Sequence, residues 1–227
     1  VEMGRFFAEK GIKTAAIYGA FIPNPMHVYR VAGVLSGLGL SYDGATEEGE
    51  VVGKIFTDQS VDLSKISGDI QIVSYLQGYG DTTTDEINAA IQAKPEAFIS
   101  VGMATTFFTQ QLNAAGIEFS DIDSFTQSNG EAITNGKLVY LAGKYSSSVG
   151  PAFALVLNAI NGNVIRDEQG NAVSLSQNYQ VATDEATFDE FYKSDNGDNP
   201  IYNKETLDQI IGESVTFDEI NELVTSK

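Results

Sequence analysis

The sequence predicts an α/β fold, a Rossmann-like parallel sheet with helices on both faces and a helical tail behind it. Three observations predict it. Short apolar runs at Lys13–Tyr18, Asp69–Leu76 and Ala97–Val101 are separated by segments with helical spacing. The first of them is an apolar run ending in small residues, the look of a strand buried in a parallel sheet. Beyond Ala182 the pattern changes to acidic amphipathic stretches that read as helices.

In chain order, Glu2–Lys10 reads as a helix stopped by Gly11, and Lys13–Tyr18 as the first strand. A loop with Phe21, two prolines and an asparagine leads to a helix from about Met26 to Leu38, with Val28, Val31, Val34, Leu35 and Leu38 on one face. Ser41–Gly49 is polar and rich in Gly and Glu; Val51–Phe56 is a short strand or helix. The strand Asp69–Leu76 ends in the Gly-rich Gln77-Gly78-Tyr79-Gly80-Asp81. Thr83 and Glu86 have capping-box spacing for the next helix, which Pro95 ends. The strand Ala97–Val101 and a helix stopping at Gly116 follow. Ile122–Thr126 and Lys137–Ala142 read as strands around a short helix at Gly130–Asn135. Ser148–Asn161 is a strong helix, with Pro151 in its first turn and Gly162 closing it. Arg166–Asn171 is a turn and Val173–Ala182 a strand. The tail comprises Thr183–Tyr192, a polar loop at Ser194–Pro200, Lys204–Ile211, and a last helix opened by the capping box Thr216-Phe217-Asp218-Glu219.

Composition narrows the function classes. The chain has 227 residues, 31 acidic against 13 basic, for a formal charge of −18. That charge disfavours duplex nucleic acid, whose binding rests on neutralising phosphates, and anionic membrane surfaces. No apolar run approaches the roughly 20 residues of a membrane span. Zero cysteines exclude disulfides and thiolate chemistry. The chain opens mid-pattern at Val1-Glu2-Met3, as a processed or trimmed chain would.

With the elements in this order, the chain resembles the type I periplasmic-binding-protein family, sugar-type solute-binding proteins of ABC transporters and related repressor domains. Arg30-Val31-Ala32-Gly33 after the first strand resembles that family's arginine followed three positions later by glycine. Pro95–Ser100, with a helix ending Asn113-Ala114-Ala115-Gly116, is similar to its strand–helix unit. Asn135-Gly136-Lys137-Leu138 and the helix Ser148–Gly162 resemble its later elements. The resemblance implies one ligand-binding lobe at 1–182 with the other lobe absent, and an acidic helical extension at 183–227 packed on it. The helix 148–161 is then expected to cross toward the missing lobe. Here its face Phe153, Val156, Leu157 and Ile160 is expected on the tail helices or on a second copy. The resemblance also implies an ABC transporter permease as partner and an extracytoplasmic setting, periplasmic or as a cell-surface lipoprotein. The signal segment would lie outside this chain. No cofactor is implied.

In an open α/β sheet, ligands bind beyond the carboxyl ends of the strands, and the candidate residues fall there. Arg30, near a helix start, suits hydroxyls or carboxylates; its plainer reading is a surface ion pair. His27 is the one histidine and lies in a loop, where a structural role is the plainer reading. Tyr79 and Asp81 follow the second strand, as a sugar-stacking ring and a polar partner, or simply as a turn. Met103 and Thr105 follow the third, where Met103 also suits core packing. Gln127 and Lys144 read as closing later strands on the same crevice. Family sugar binders carry asparagine-aspartate where Val101-Gly102-Met103 stands, and a glutamine where Lys144 stands. Those departures point from simple pentoses and hexoses toward an anionic ligand.

Catalysis finds little support. Gly78-x-Gly80 lacks the third glycine of a dinucleotide loop, and no serine sits in a nucleophile-elbow context. Asp195–Asn199 lacks the register and terminal glutamate of a calcium loop. The leading reading, which the resemblance implies, is a non-enzymatic solute-binding component that holds a small polar ligand between two lobes. The alternatives are an effector-binding domain of a repressor-type regulator and a doubly wound cofactor-dependent enzyme.

Overall fold

The computed structural model describes residues 1–78 and 84–226. Its residues fall into two compact units: Val1–Asp123, Gln127–Ala142 and Ala182–Glu185 in the first, and Ser124–Thr126, Gly143–Val181 and Ala186–Lys227 in the second.

The first unit is the expected α/β sheet. Its strands are β1 (Thr14–Ala20), β4 (Gln71–Gln77), β5 (Ala97–Ser100), β6 (Glu118–Asp123) and β7 (Leu138–Gly143), in the order β4-β1-β5-β6-β7, with the short β8 (Gln180–Ala182) at the edge. β1 pairs in parallel with β4 and with β5, and β5 in parallel with β6. A separate two-stranded ladder joins β2 (Ser41–Tyr42) to β3 (Ile66–Ser67), antiparallel. The run from Ala15 to Ala20 is fully buried, so β1 is apolar because both its faces are covered.

Helices α1 (Glu2–Glu9), α2 (Pro25–Gly37) and α3 (Glu48–Asp58) pack on one another, and α4 (Thr84–Gln92), α5 (Ala104–Ala115) and α6 (Gln127–Thr134) form a second group. Asn24 opens α2 by accepting from the Met26 N–H at 3.0 Å, with Pro25 in the first turn. α1 and α2 touch backbone to backbone. A Cβ on Gly4 would lie 2.3 Å from the Val34 carbonyl oxygen, and one on Gly37 2.0 Å from that of Val1. The segment Val51–Phe56, open between strand and helix in the sequence, is the middle of α3. The strand expected at Ile122–Thr126 is displaced to Glu118–Asp123, because Phe119 and Ile122 are core residues and the ladder begins at Glu118.

The second unit is built round α7 (Gly150–Ile160), which follows a 3-10 turn at Ser146–Val149. With it go α8 (Glu185–Asn196, from Ala186), α9 (Lys204–Asp208) and α10 (Phe217–Thr225). Ala154, Ile165, Ile210, Ile220 and Val224 form one core. Fully buried Asn158 stitches it: its Nδ2 donates to the Ile210 carbonyl and its Oδ1 accepts from the Gly212 N–H, both at 2.9 Å. Phe125, Tyr145, Phe188 and Phe191 form an aromatic cluster in the same unit. The capping box at Thr216–Glu219 forms as its spacing requires. That at Thr83–Glu86 lies outside the described residues.

Two expectations are corrected. Only Gln180–Ala182 of Val173–Ala182 is strand; Val173 and Leu175 pack instead against the α7 core. Of the two surfaces expected for the face Phe153, Val156, Leu157 and Ile160, the tail is not the one, because it covers the opposite side of α7. Ala154, Leu155 and Asn158 face the tail, while Phe153, Val156 and Ile160 stay 56%, 57% and 75% exposed. Leu157 is half-buried.

The α1–α2 contact sets a test. Gly37→Ala forces backbones apart and is expected to cost about 1–3 kcal/mol in denaturant unfolding. Gly53→Ala, in open space on α3, is expected to stabilise by about 0.5–1 kcal/mol through helix propensity. Equal effects of the two would refute the close-approach account.

Candidate functional site

The sheet order makes the site. From β1 the chain crosses to β4 on one side, and from β5 it crosses to β6 on the other. The crevice between β1 and β5 at their carboxyl ends is thus a topological switch point, where open α/β sheets bind ligands.

Three glycines bring the strand ends together there. Gly19 has φ +108, which non-glycine residues avoid. A Cβ on it would meet the Gly102 nitrogen at 2.6 Å, and a Cβ on Gly78 would meet the Gly19 oxygen at 2.7 Å. Side chains are excluded, so the ends of β1, β4 and β5 meet as bare backbone. The sequence shows the glycines of this edge, and only the parallel register shows that they are neighbours.

Arg30, on the first turns of α2, spans this crevice. Its Nη2 donates to Asp123 Oδ1 at 2.6 Å, its Nη1 to Asp123 Oδ2 at 3.2 Å and to the Val101 carbonyl at 3.3 Å. Its side chain is 14% exposed, against 26% for Asp123. A bidentate pair of this kind is strong and geometrically specific. Asp123 itself has φ +90. A non-glycine residue held there carries strain of order 1–3 kcal/mol, a feature that clusters at functional sites. The ion pair expected as the plainer reading of Arg30 is present, but it lies in the crevice rather than on an open surface.

His27 is 3% exposed and holds the loop before α2. Its Nδ1 accepts from the Phe21 N–H at 3.2 Å, which leaves the proton of the neutral ring on Nε2. Burial, and secondarily Arg30, hold its pKa below the ordinary histidine value. Met103, 37% exposed, precedes α5 and gives that helix no side-chain cap. The cap comes from across the sheet: Asp121 Oδ2 accepts from the Thr105 N–H at 3.2 Å and from Asn129 Nδ2 at 3.0 Å. Asn129 Nδ2 also donates to Thr105 Oγ1 at 3.1 Å. Thr105 therefore lies behind the wall, 8% exposed.

Gln127 begins α6 rather than closing a strand, and its amide donates to Glu131 at 3.0 Å. Lys144 belongs to the second unit, where it lines a cavity of about 400 Å³ with Tyr145, Ser148, Gln177, Tyr179 and Tyr202. Tyr79 and Asp81 lie outside the described residues. The structure thus brings Arg30 and His27 to one edge with the turn before Met103. Sequence reasoning missed Asp121, Asp123 and Asn129. The available signal was Ser120-Asp121, polar residues inside a strand flanked by Phe119 and Ile122.

No protein-family profile matches the chain, and no curated protein matches it. Two solved structures are similar over 98% of it. One is titled a putative branched-chain amino acid ABC transporter from Rhodospirillum rubrum, at 13% identity and TM-score 0.35 over 52% of that chain. The other is titled an extracellular ligand-binding receptor from Rhodopseudomonas palustris HaA2, at 14% identity and TM-score 0.35 over 54% of that chain. The present chain spans about half the length of each. Neither title names a sugar, so the sugar type implied by the sequence resemblance finds no support in them.

Two measurements test this geometry. Arg30→Ala and Asp123→Ala are each expected to cost about 1–3 kcal/mol, with the double variant costing clearly less than their sum; strict additivity would refute the pairing. His27 titration by NMR, unambiguous with one histidine in the chain, is expected to show a midpoint below 6.5. The folded state then favours the neutral ring, so His27's contribution to stability is complete above pH 6.5. It falls as pH drops through the folded pKa. A midpoint at or above 6.5 would refute its burial as the neutral form.

Proposed function

We propose that this chain is the ligand-binding lobe of a solute-binding component of an ABC importer, working outside the cytoplasm. It holds a small polar solute and delivers it unchanged to a membrane permease. The observation that carries the reading is the bidentate Arg30–Asp123 pair set across the switch point between β1 and β5. Fixed charges on rigid elements serve recognition and hydrogen bonding.

The pair also bears on the solute. The Arg30 guanidinium is already balanced, so a simple anion would have to displace Asp123 from it. A neutral polyol or a zwitterion carrying both carboxylate and ammonium can engage both members. Arg30, Asp123 and Met103 are the proposed contacts in the first unit, with Tyr79 and Asp81 proposed beyond the described residues. Lys144 is proposed to contribute from its own cavity in the second unit.

A further lobe is proposed to cover α7. Val149, Phe153, Val156, Ile160 and Val164 are all exposed, at 69%, 56%, 57%, 75% and 51%. The first four recur at alternating spacings of four and three residues, the seam of a helix made to pack on both sides. Such a patch on a soluble protein marks a covered surface.

Thermal-shift measurement against sugars, sugar acids, nucleosides and amino acids, branched-chain ones included, tests the proposal. A solute binding the folded state raises the midpoint by mass action. One class is expected to shift it, and Arg30→Ala to abolish that shift while the variant stays folded. No shift from any class, or an undiminished shift in the variant, would overturn the assignment. For α7, a monodisperse monomer at high concentration that shows no binding of an apolar dye would overturn the covered face.

A further inference from the structure

We propose that Asp121 is the positioning residue of the crevice wall: one buried carboxyl group anchors α5 and α6 to the end of β6, and its ionisation sets how tightly they are held. The function of that wall rests on the reading above; the anchor does not.

The geometry is asymmetric. Asp121 is 3% exposed. Its Oδ2 collects the Thr105 N–H and the Asn129 amide, which ties three elements to one atom. Its Oδ1 is buried with no hydrogen-bond partner among the described residues. A buried carboxylate with one oxygen unpaired by the protein resists ionisation. Burial accordingly pushes the carboxyl up to about 6 from 3.8, against the opposing hydrogen bonds from Thr105, the Ile122 N–H and Asn129.

The charges on neighbouring elements are compensated or remote in sequence from the cluster. α5 carries no titratable side chain, nor does β5, and β7 offers only Tyr140. On α6, Glu131 accepts from Gln127. On β6, Glu118 pairs with Lys10 and Asp123 with Arg30. On α1, which reaches Ser120 through Met3, Glu2 pairs with Arg5, leaving Glu9.

The sign follows by linkage. An opening that lets water reach Asp121 returns its pKa toward 3.8, so ionisation favours opening. The wall is tightest with the carboxyl protonated, loosens as pH rises from about 4 to 6, and is constant above. With a pKa of about 6 in the closed state and 3.8 in the hydrated one, the full effect on the opening equilibrium is on the order of a hundredfold.

Amide exchange by NMR on the ligand-free chain, corrected for intrinsic rates, tests this at Thr105 and in the first turns of α5 and α6 between pH 4 and 7.5. Protection is expected to fall across that range toward a plateau, following the Asp121 carboxyl signal. Asp121→Asn is expected to keep the protection and lose the pH step, because an amide oxygen still accepts from Thr105. Asp121→Ala is expected to lose about tenfold or more in protection at Thr105; if it does not fold, the Asn variant decides alone. A pH step that persists in Asp121→Asn would overturn the proposal, as would a flat profile in the native chain. A failed solute panel leaves these outcomes untouched, so the two proposals fail separately.

Discussion

The parallel alignment of β1 between β4 and β5 is the constraint on which the candidate site depends. Because Ile17 lies opposite both Tyr75 and Ile99, all three strands end at one edge. Parallel strands also need crossovers, and those place the first turns of α2 and α5 beside that edge. Arg30 then reaches the Val101 carbonyl and Asp123, residues 71 and 93 positions away in sequence. The backbone meeting of Gly19, Gly78 and Gly102 follows from the same alignment. A different strand order would leave each of these groups with no neighbour.

Two aspartates on β6, two positions apart, show how environment separates identical chemistry. Asp123 faces a guanidinium and retains partial access to water, so it serves as a charge. Asp121 is buried among neutral donors, so its negative charge is unfavourable and its value lies in geometry. The first N–H groups of a helix need an acceptor, and α5 borrows one from β6 because Met103 supplies none. The helix is thereby tied to the sheet, which a cap from its own N-terminal residue would not do.

Much of the fold was legible in the sequence, because buried parallel strands and amphipathic helices print different periods. The pattern at Lys13–Tyr18 and the spacing from Val28 to Leu38 are set locally, and the structure follows them within two residues. Val173–Ala182 was misread because its apolar residues face the α7 core from an irregular chain, and alternation alone does not distinguish that from a strand. The site was legible by position only. Arg30 could be placed at the crevice, but its partner Asp123 comes from the far end of β6, a pairing that no local pattern encodes. The side of α7 that the tail covers was likewise undetermined, since the helix is apolar on both.

The stretch Val149–Ile165 holds no charged residue in a chain of net charge −18. Over most of the surface, copies repel one another, and that repulsion is what salt removes: screening shortens from about 10 Å at 0.1 M to about 3 Å at 1 M. The apolar face of α7 behaves oppositely, since excluded salts such as sulfate strengthen burial. Ionic strength therefore acts on this chain twice in the same direction. A protein whose charge suggests it should be handled by ion exchange has, on one helix, the property that a hydrophobic-interaction column selects at high salt.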